Sequence, residues 1–518
     1  MIKNKKNNFG QYFTPKIVAE FMVSLLTVGK NKKILEPSCG KGIFLNVLNE
    51  KGYKNVDAIE YDNELVNVCE YDVKQGNYLE QDFTNKYDAI IGNPPYIRWK
   101  NLPLVLRKNA DKSAIWSKYG NSLTDYSSIF IAKSVLDLND NGELIFITPE
   151  YWLYTYHSQK IRNLLLEHGS VESIYYFDEM NIFNSVVSSL IIFKFIKNKK
   201  TPTTVYKVKN RFTKSEDVFK ELNNKIYENY FDVYQTAEFK NNSRWSLEKE
   251  NISSKLNALE KSCESFKKDF FATSYATIGD MFNVANGMVS GLDKAFQIDQ
   301  NILNKKEMKN IIKVAKAKDL NGIKTNKLTT YILLQDIVST QKELMSDFPN
   351  FYKKLGEFKE TLAKRYDYKK GANYWDWSFL RNFSSLSSNN EKIFIPSKER
   401  VGHKKHFRFT VVEKGVYPTQ DVTALIKNEE TKESIYYCHQ YLMQPIVFDW
   451  IVNRGVMRGT VAEFSEAPLN SIPFRAIDWN NLNEVQIHDE IVSLAKKMKS
   501  FEGEEKEKIE RLFNKLIK

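Results

Sequence analysis

From Lys33 to about Phe195 the chain alternates short β-rich runs with stretches whose apolar residues recur at helical spacing, the pattern of a βαβ array with a mostly parallel sheet. Strands are predicted at Lys33–Leu35, Val56–Ile59, Asp88–Ile91, Glu143–Ile147, Ser173–Phe177 and Ser189–Phe195. Phe44, Val47 and Leu48, and later Ile129, Ala132, Val135 and Leu136, mark the buried faces of intervening helices. The polar run Lys197–Thr204 ends this pattern. A lysine- and asparagine-rich stretch follows, including Lys240–Arg244, and then a predicted helix over Ile252–Phe271. Between Ile278 and about Phe474 the periodicity is irregular, with short strands and many aromatics. From Glu484 helical spacing returns through Ile487, Ile491, Leu494 and Met498, then Ile509, Leu512, Phe513 and Leu516. The reading is an α/β domain over residues 1–240, an α+β domain over 241–475 and a helical segment over 476–518, with the first boundary falling between about 236 and 270.

Composition narrows the class. The 518 residues are 42% hydrophobic and 27% charged, a globular profile. The net charge of +12 suits a polyanionic partner, and equally a lysine-rich soluble surface. Its distribution says more: the first 200 residues carry 25 basic against 22 acidic groups, leaving 51 against 42 for the rest. The four cysteines, Cys39, Cys69, Cys263 and Cys438, form no C-x-x-C pair, so neither a disulfide framework nor a zinc ribbon is predicted, and a reducing cytoplasm fits. The polar, lysine-rich start predicts no secretory signal, and the most apolar stretch, Val186–Ile196, is too short to span a bilayer. His403 and His406 are separated by a lysine pair with no acid or cysteine in register, so no metal site is expected.

Four groups of residues carry chemistry. Asn93-Pro94-Pro95-Tyr96 directly follows a strand, and in an open parallel sheet such a loop lies at the ligand-binding edge. Two prolines make it rigid and leave its carbonyls free, the Asn93 amide adds an acceptor, and Tyr96 offers a flat face, a set suited to gripping an NH2 group on a stacked base. A proline turn closing a strand is the bland alternative. Glu36-Pro37-Ser38-Cys39-Gly40-Lys41-Gly42 joins a strand to a helix; its glycines permit close backbone approach, it lacks phosphate-loop spacing, and Glu36 favours a cationic or hydroxyl-bearing ligand. Glu60 follows the second strand, where acids take ribose hydroxyls. Asp82, followed by Phe83, precedes the next strand and suits an adenine amino group and ring. Taken singly, these last acids also fit solvated loop positions; their order at successive strand ends favours the ligand reading.

Together these residues resemble the amino-group DNA methyltransferases of bacterial restriction–modification systems, specifically the N6-adenine group. Phe9 to Pro15 resembles the family's N-terminal motif, which packs over the methionine part of S-adenosyl-L-methionine and brings in Tyr12, Thr14 and Pro15. Glu36 to Leu45 resembles the cofactor loop, with Glu36-Pro37 where Asp-Pro is usual, and Gly40 and Gly42 as its glycines. Glu60 matches the ribose acid, Asp82 and Phe83 the adenine pair, and Asn93, Pro94 and Tyr96 the catalytic motif; Asp125-Tyr126, Phe130 and Gly142–Pro149 resemble the segments that follow. Phe183 resembles the aromatic that faces the flipped adenine opposite Tyr96; a core phenylalanine is its alternative. Asn286 to Phe296, with Lys294, is similar to the opening of a target-recognition domain, and Gly455–Gly459, with Arg458, to its closing segment.

The resemblance implies a Rossmann-like methyltransferase domain with a C-terminal α+β target-recognition domain and helical tail. It implies S-adenosyl-L-methionine as cofactor, double-stranded DNA as partner and a monomer in a bacterial cytoplasm, with either a separate cognate endonuclease as companion or a solitary modifying enzyme. Arg98, Asn286, Lys294 and Arg458 are the DNA-contact candidates. Basic and aromatic residues interleave at Lys364–Lys370, Tyr374–Trp377 and Lys398–Arg408, which also suits DNA. Four other readings stay open: N4-cytosine methylation, in which serine more often holds the first catalytic position; methylation of protein glutamine; methylation of ribosomal RNA; and a DNA-binding subunit with an inactive methyltransferase fold.

Overall fold

The protein is described by a computed structural model covering residues 12–82, 86–183, 189–268, 273–323, 325, 327–368, 371–498, 500 and 503–517. The chain divides into two compact units, Met1–Ser253 and Ser254–Lys518. The division falls within the helix Glu250–Ser262, inside the stretch where a helix over Ile252–Phe271 was expected.

The first unit is built on a nine-stranded sheet: β1 (Ile34–Glu36), β2 (Val56–Glu60), β3 (Lys74–Gln75), β4 (Tyr87–Gly92), β5 (Leu138–Pro149), β6 (Gly169–Tyr176), β7 (Leu190–Lys197), β8 (Thr204–Val208) and β9 (Phe231–Gln235). Their order is β3-β2-β1-β4-β5-β7-β6-β8-β9. The pairs β1–β2, β1–β4, β2–β3, β4–β5 and β6–β8 are parallel, whereas β7 runs antiparallel to β5 and β6, and β9 to β8. The strands β3, β8 and β9 are additions to those expected from the sequence.

Side chains of the central strands are buried on both faces, which requires a layer on each side. Ile34, Ala89, Ile91, Ile145, Ile147 and Ile192 join one core with Phe21, Met22, Phe44 and Val47, from α1 (Lys16–Ser24) and α2 (Ile43–Glu50). Leu35, Ile90, Leu144, Phe146, Ile191 and Phe193 join the other with Ile129, Ala132 and Val135 of the helix Tyr126–Asp137. The two-residue alternation of a strand thus assigns each residue to its core, and each fully buried Leu, Ile or Phe contributes about 1.5–3 kcal/mol. Because the chain runs outward from β1 to β3 and then returns to β4 on the other side of β1, the strand order reverses between β1 and β4. Their carboxyl ends, Glu36 and Gly92, therefore open onto the crevice where open α/β sheets bind ligands.

The second unit holds an antiparallel sheet of Phe282–Asn286, Val422–Lys427, Lys392–Pro396 and Thr410–Val412. Two three-stranded sheets accompany it, one of Ile311–Ala315, Thr329–Ile332 and Val416–Pro418, the other of Lys398–Arg400, Val461–Glu463 and Met457–Arg458. The helices Leu482–Lys497 and Glu504–Ile517 belong to this unit. One expected surface is core instead: Tyr374, Trp375 and Trp377 are 3%, 4% and 2% exposed, and the indoles donate to the Val338 and Ile332 carbonyls. Arg365 is held internally by Ser290 O, Ser378 Oγ and Asp376 O. Burying a large aromatic yields more than exposing it to attract a phosphate, provided its polar edge finds a partner, as both indoles do. No helix among the described residues is long and apolar enough to cross a membrane, and no group of three His, Cys, Asp or Glu among them could hold a metal ion.

Candidate active site

β1 delivers Glu36 to the crevice with only 1% exposure. Its Oε2 has no hydrogen-bond partner among the described residues; burial, and secondarily the charge of Glu60, push its pKa well above the usual range. Pro37 and Ser38 follow, and the Ser38 hydroxyl donates to the Asn93 carbonyl at 3.2 Å. The chain then turns through Gly40 and Gly42, with φ of +56° and +81°, into α2. Gly42 has two reasons to be glycine: the left-handed backbone, and a Cβ that would lie 2.8 Å from Cys69 Sγ.

Glu60, at the end of β2, is 5% exposed and ties this turn to the neighbouring strand. Its Oε2 accepts from the Gly40 N–H at 2.7 Å and Oε1 from the Asp62 N–H at 2.8 Å. Burial raises its pKa despite these bonds. Each oxygen keeps a further lone pair for a ligand hydroxyl.

Asn93 follows β4. Its Nδ2 donates to the Tyr12 carbonyl at 2.9 Å and to Thr14 Oγ1 at 3.1 Å, whereas Oδ1 is buried with no partner among the described residues. A carbonyl can only accept, so the Tyr12 bond fixes which end of the amide is nitrogen. Pro15, next in the chain, accepts from Val18 and Ala19 N–H groups to start α1, which anchors this clamp to a helix. Pro94 is buried. The half-buried Tyr96 donates its hydroxyl to the Ile147 carbonyl at 2.9 Å, and burial keeps that phenol neutral.

Tyr12, Tyr96 and Phe183 form an aromatic triangle: centroids are 5.5 Å apart for Tyr12–Tyr96, 6.2 Å for Tyr12–Phe183 and 6.5 Å for Tyr96–Phe183, the last pair tilted by 55°. Phe183 is 4% exposed and belongs to the α1-side core.

Two adjoining cavities meet at this centre. One, of about 80 Å³, is lined by Pro37, Glu60, Tyr61, Asn77, Tyr78 and Tyr126, among others; the other, of about 290 Å³, by Thr14, Glu36, Phe44 and Asn46, among others. Tyr12, Phe13, Ser38, Gly40 and Asn93 line both. Tyr61, Asn77, Tyr78 and Tyr126 take no ligand-binding part in the sequence reading. Asn77 caps the short turn Tyr78–Glu80, accepting from Leu79 N, and also accepts from the Tyr126 hydroxyl at 3.3 Å. The signal available was the turn dipeptide Gly76-Asn77 before an aromatic. Asp82, by contrast, is exposed and lines neither cavity, because the chain has already left the crevice at the Tyr78 turn. Phe83 lies outside the described residues, as do Phe9, Gly10, Gln11 and Asn184.

Arg98 is exposed beside the Asn93–Tyr96 loop, its backbone bridged to that of Asp125. In the second unit, Asn286 ends a strand and its carbonyl accepts from Asn382. Lys294 is exposed, and Arg458 is exposed but ion-paired with Glu463 at 2.5 Å.

A sheet whose order reverses at β1, an acid-and-glycine turn there, and an Asn-Pro-Pro-Tyr loop with a vacant amide oxygen define an α/β amino-group methyltransferase. Residues 19–183 match the family described as Eco57I restriction-modification methylase. The type II methyltransferase M.HindII of Haemophilus influenzae is 41% identical over 504 residues, 96% of this chain and 95% of that protein. M.HincII of Haemophilus influenzae is 40% identical over 499 residues with the same coverage. The solved structure of the type IIL restriction-modification enzyme MmeI in complex with DNA superposes with a TM-score of 0.62 at 12% identity, covering 97% of this chain and 72% of that one, which shows a shared fold. The chain belongs to the type II methyltransferases of restriction–modification systems. It is a DNA methyltransferase; the protein-glutamine and ribosomal-RNA readings are set aside by a match running nearly end to end.

Proposed function

We propose that this enzyme transfers the methyl group of S-adenosyl-L-methionine to the exocyclic N6 of an adenine flipped out of duplex DNA, protecting host DNA in a restriction–modification system. The observation that carries this reading is the Asn93 amide, with both donors spent on Tyr12 and Thr14 and its buried oxygen unpaired. A buried acceptor without a partner costs about 1–3 kcal/mol, a cost that a ligand N–H removes.

The crevice fits the cofactor. Glu36, buried with a free oxygen, suits the ammonium end; Glu60 suits ribose hydroxyls; Gly40, with Pro37, admits a close backbone approach, which the Gly42 turn shapes; Tyr12 and Thr14 cover the amino-acid part, with Pro15 anchoring them to the helix. Tyr61, Asn77 and Tyr78 line the adenine end, where the sequence had suggested Asp82 and Phe83. When bound, S-adenosyl-L-methionine supplies a methyl group made electrophilic by its sulfonium.

The protein's task is to make the amino nitrogen a nucleophile. Asn93 Oδ1 and the Pro94 carbonyl would accept the two N6 hydrogens, drawing the lone pair out of conjugation with the ring so that the nitrogen can take the methyl group as the methyl–sulfonium bond breaks, its surplus proton passing to solvent water. No side chain is needed as a strong base, and the neutral Tyr96 phenol serves to hold the loop to Ile147. Positioning and oriented dipoles provide the acceleration.

Extrahelical capture costs a few kcal/mol, recovered in part by stacking on Tyr96 and Phe183. A base between parallel rings needs roughly 7 Å, two contacts of about 3.5 Å each. The rings stand 6.5 Å apart and tilted, so base entry must rotate them apart. Arg98, Asn286, Lys294 and Arg458 contact the duplex in this reading. The domain of residues 1–240 performs the chemistry, residues 241–475 recognise the target, and residues 476–518 form a helical segment. The enzyme acts as a monomer in the bacterial cytoplasm beside a separate endonuclease.

The test is transfer of a tritiated methyl group with duplex DNA, RNA and protein offered in parallel. Label is expected in duplex DNA alone; label in RNA or protein without DNA would overturn the proposal.

A further inference from the structure

A second concavity lies wholly in the second unit, where the strand Ile311–Ala315 pairs with Thr329–Ile332 and the turn Gln300–Ile302 stands beside them. It measures about 610 Å³, and its charged lining is Lys313, Lys316, Lys318 and Lys327 against the single acid Asp299. Strand register places Lys313 opposite Thr330, and its ammonium donates to neutral partners, Thr330 Oγ1 at 2.8 Å and the Gln300 amide oxygen. Asp299 is turned to its own loop, where Oδ1 accepts from the Asn301 N–H. Of the four lysines, only Lys316 is paired with a carboxylate, Asp293, among the described residues. Lys318 and Lys327 are exposed.

Like charges brought to one hollow repel one another, and folding stability gains nothing from collecting them there. Hydroxyl and amide groups between the lysines supply further donors without base-reading geometry. The hollow is also lined mainly by charged, amide and hydroxyl side chains, unlike the mostly apolar lining of a pocket for a small apolar ligand. Charge without compensation, spread along an open groove, matches a run of phosphates rather than one small anion.

We propose that this lysine-lined groove grips the sugar–phosphate backbone of duplex DNA, anchoring the strand independently of base sequence. The proposal rests on the DNA-methyltransferase reading and adds to it a site that none of the motifs contains.

The experiment measures binding of the full-length enzyme to a random-sequence duplex across a salt series. Each phosphate contact removed should lower the slope of log K against log salt by about 0.9. The double variant Lys318→Ala/Lys327→Ala should lose close to two units of slope and bind on the order of tenfold more weakly at moderate salt. Lys318→Arg/Lys327→Arg should bind like the wild type, which separates charge from folding. An unchanged slope in the alanine variant, with a wild type that binds duplex normally, would overturn the groove alone. A loss confined to RNA would also overturn it. A wild type that binds no duplex at any salt would overturn the DNA reading and the groove with it.

Discussion

Replacing Thr14 by valine probes how the catalytic amide is held. Valine keeps the shape but deletes the hydroxyl that accepts from Asn93 Nδ2 at 3.1 Å, leaving the 2.9 Å bond to the Tyr12 carbonyl as the remaining restraint. A neutral hydrogen bond at a part-buried site contributes about 0.5–1.5 kcal/mol, so misorientation of the amide should slow methyl transfer roughly two- to tenfold. Removing the acceptor itself, by Asn93→Ala, should cost on the order of 10²–10³-fold, as deletion of a transition-state hydrogen-bond partner does elsewhere. Single-turnover transfer of labelled methyl, with saturating enzyme and cofactor, isolates this step from product release. Duplex affinity should stay near wild type in both variants. If Thr14→Val transfers at the wild-type rate, the clamp does not orient the amide. If Asn93→Ala turns over normally, the vacant oxygen is not the acceptor and the mechanism fails.

Other consequences concern the same crevice. Glu36 has its pKa raised by burial first and Glu60 second; a carboxyl raised on folding contributes stability below its ordinary 4.5 that is lost as pH rises through the raised value. Thermal melts of the ligand-free protein should therefore show the wild type losing stability relative to Glu36→Gln toward alkaline pH, and parallel curves would contradict this. Gly42→Ala forces a side chain into φ +81° and against Cys69 Sγ, which should cost at least about 1–2 kcal/mol and lower the melting temperature by at least ~2 °C; an unchanged melt would refute the strain. Phe183→Ala should weaken capture of the extrahelical base by about 1–3 kcal/mol, the value of one stacking partner. It would be read from 2-aminopurine fluorescence at the mapped target position, where an unaltered signal would remove Phe183 from the stack.

The cofactor side of the crevice was legible because each of its parts is a contiguous run: an acid at a strand end with glycines in the turn after it, and, two expected strands later, a proline-locked loop. What was not legible depends on partners far along the chain. The strand β3 is two polar residues, so nothing in hydropathy marks it, and the cavity residues Asn77 and Tyr78 beyond it were passed over for Asp82. The clamp on Asn93 joins residues about eighty positions apart, and only the fold shows that Thr14 and Tyr12 hold one amide. In the second unit, Trp375 and Trp377 among charged neighbours read as a DNA-facing surface. Their burial follows from the Val338 and Ile332 carbonyls that satisfy their indoles, contacts no local pattern announces. The groove lysines, spaced three and two apart on and after a strand, converge with Lys327 only through pairing with Thr329–Ile332.

The central claim is that the methyl group arrives on adenine N6. Duplex DNA treated with the enzyme and S-adenosyl-L-methionine, digested to nucleosides and resolved by chromatography and mass spectrometry, tests it directly. The vacant Asn93 oxygen and its proline-locked loop predict N6-methyldeoxyadenosine as the sole modified nucleoside, absent with Asn93→Ala. N4-methyldeoxycytidine in its place, or modification that survives Asn93→Ala, would contradict the account.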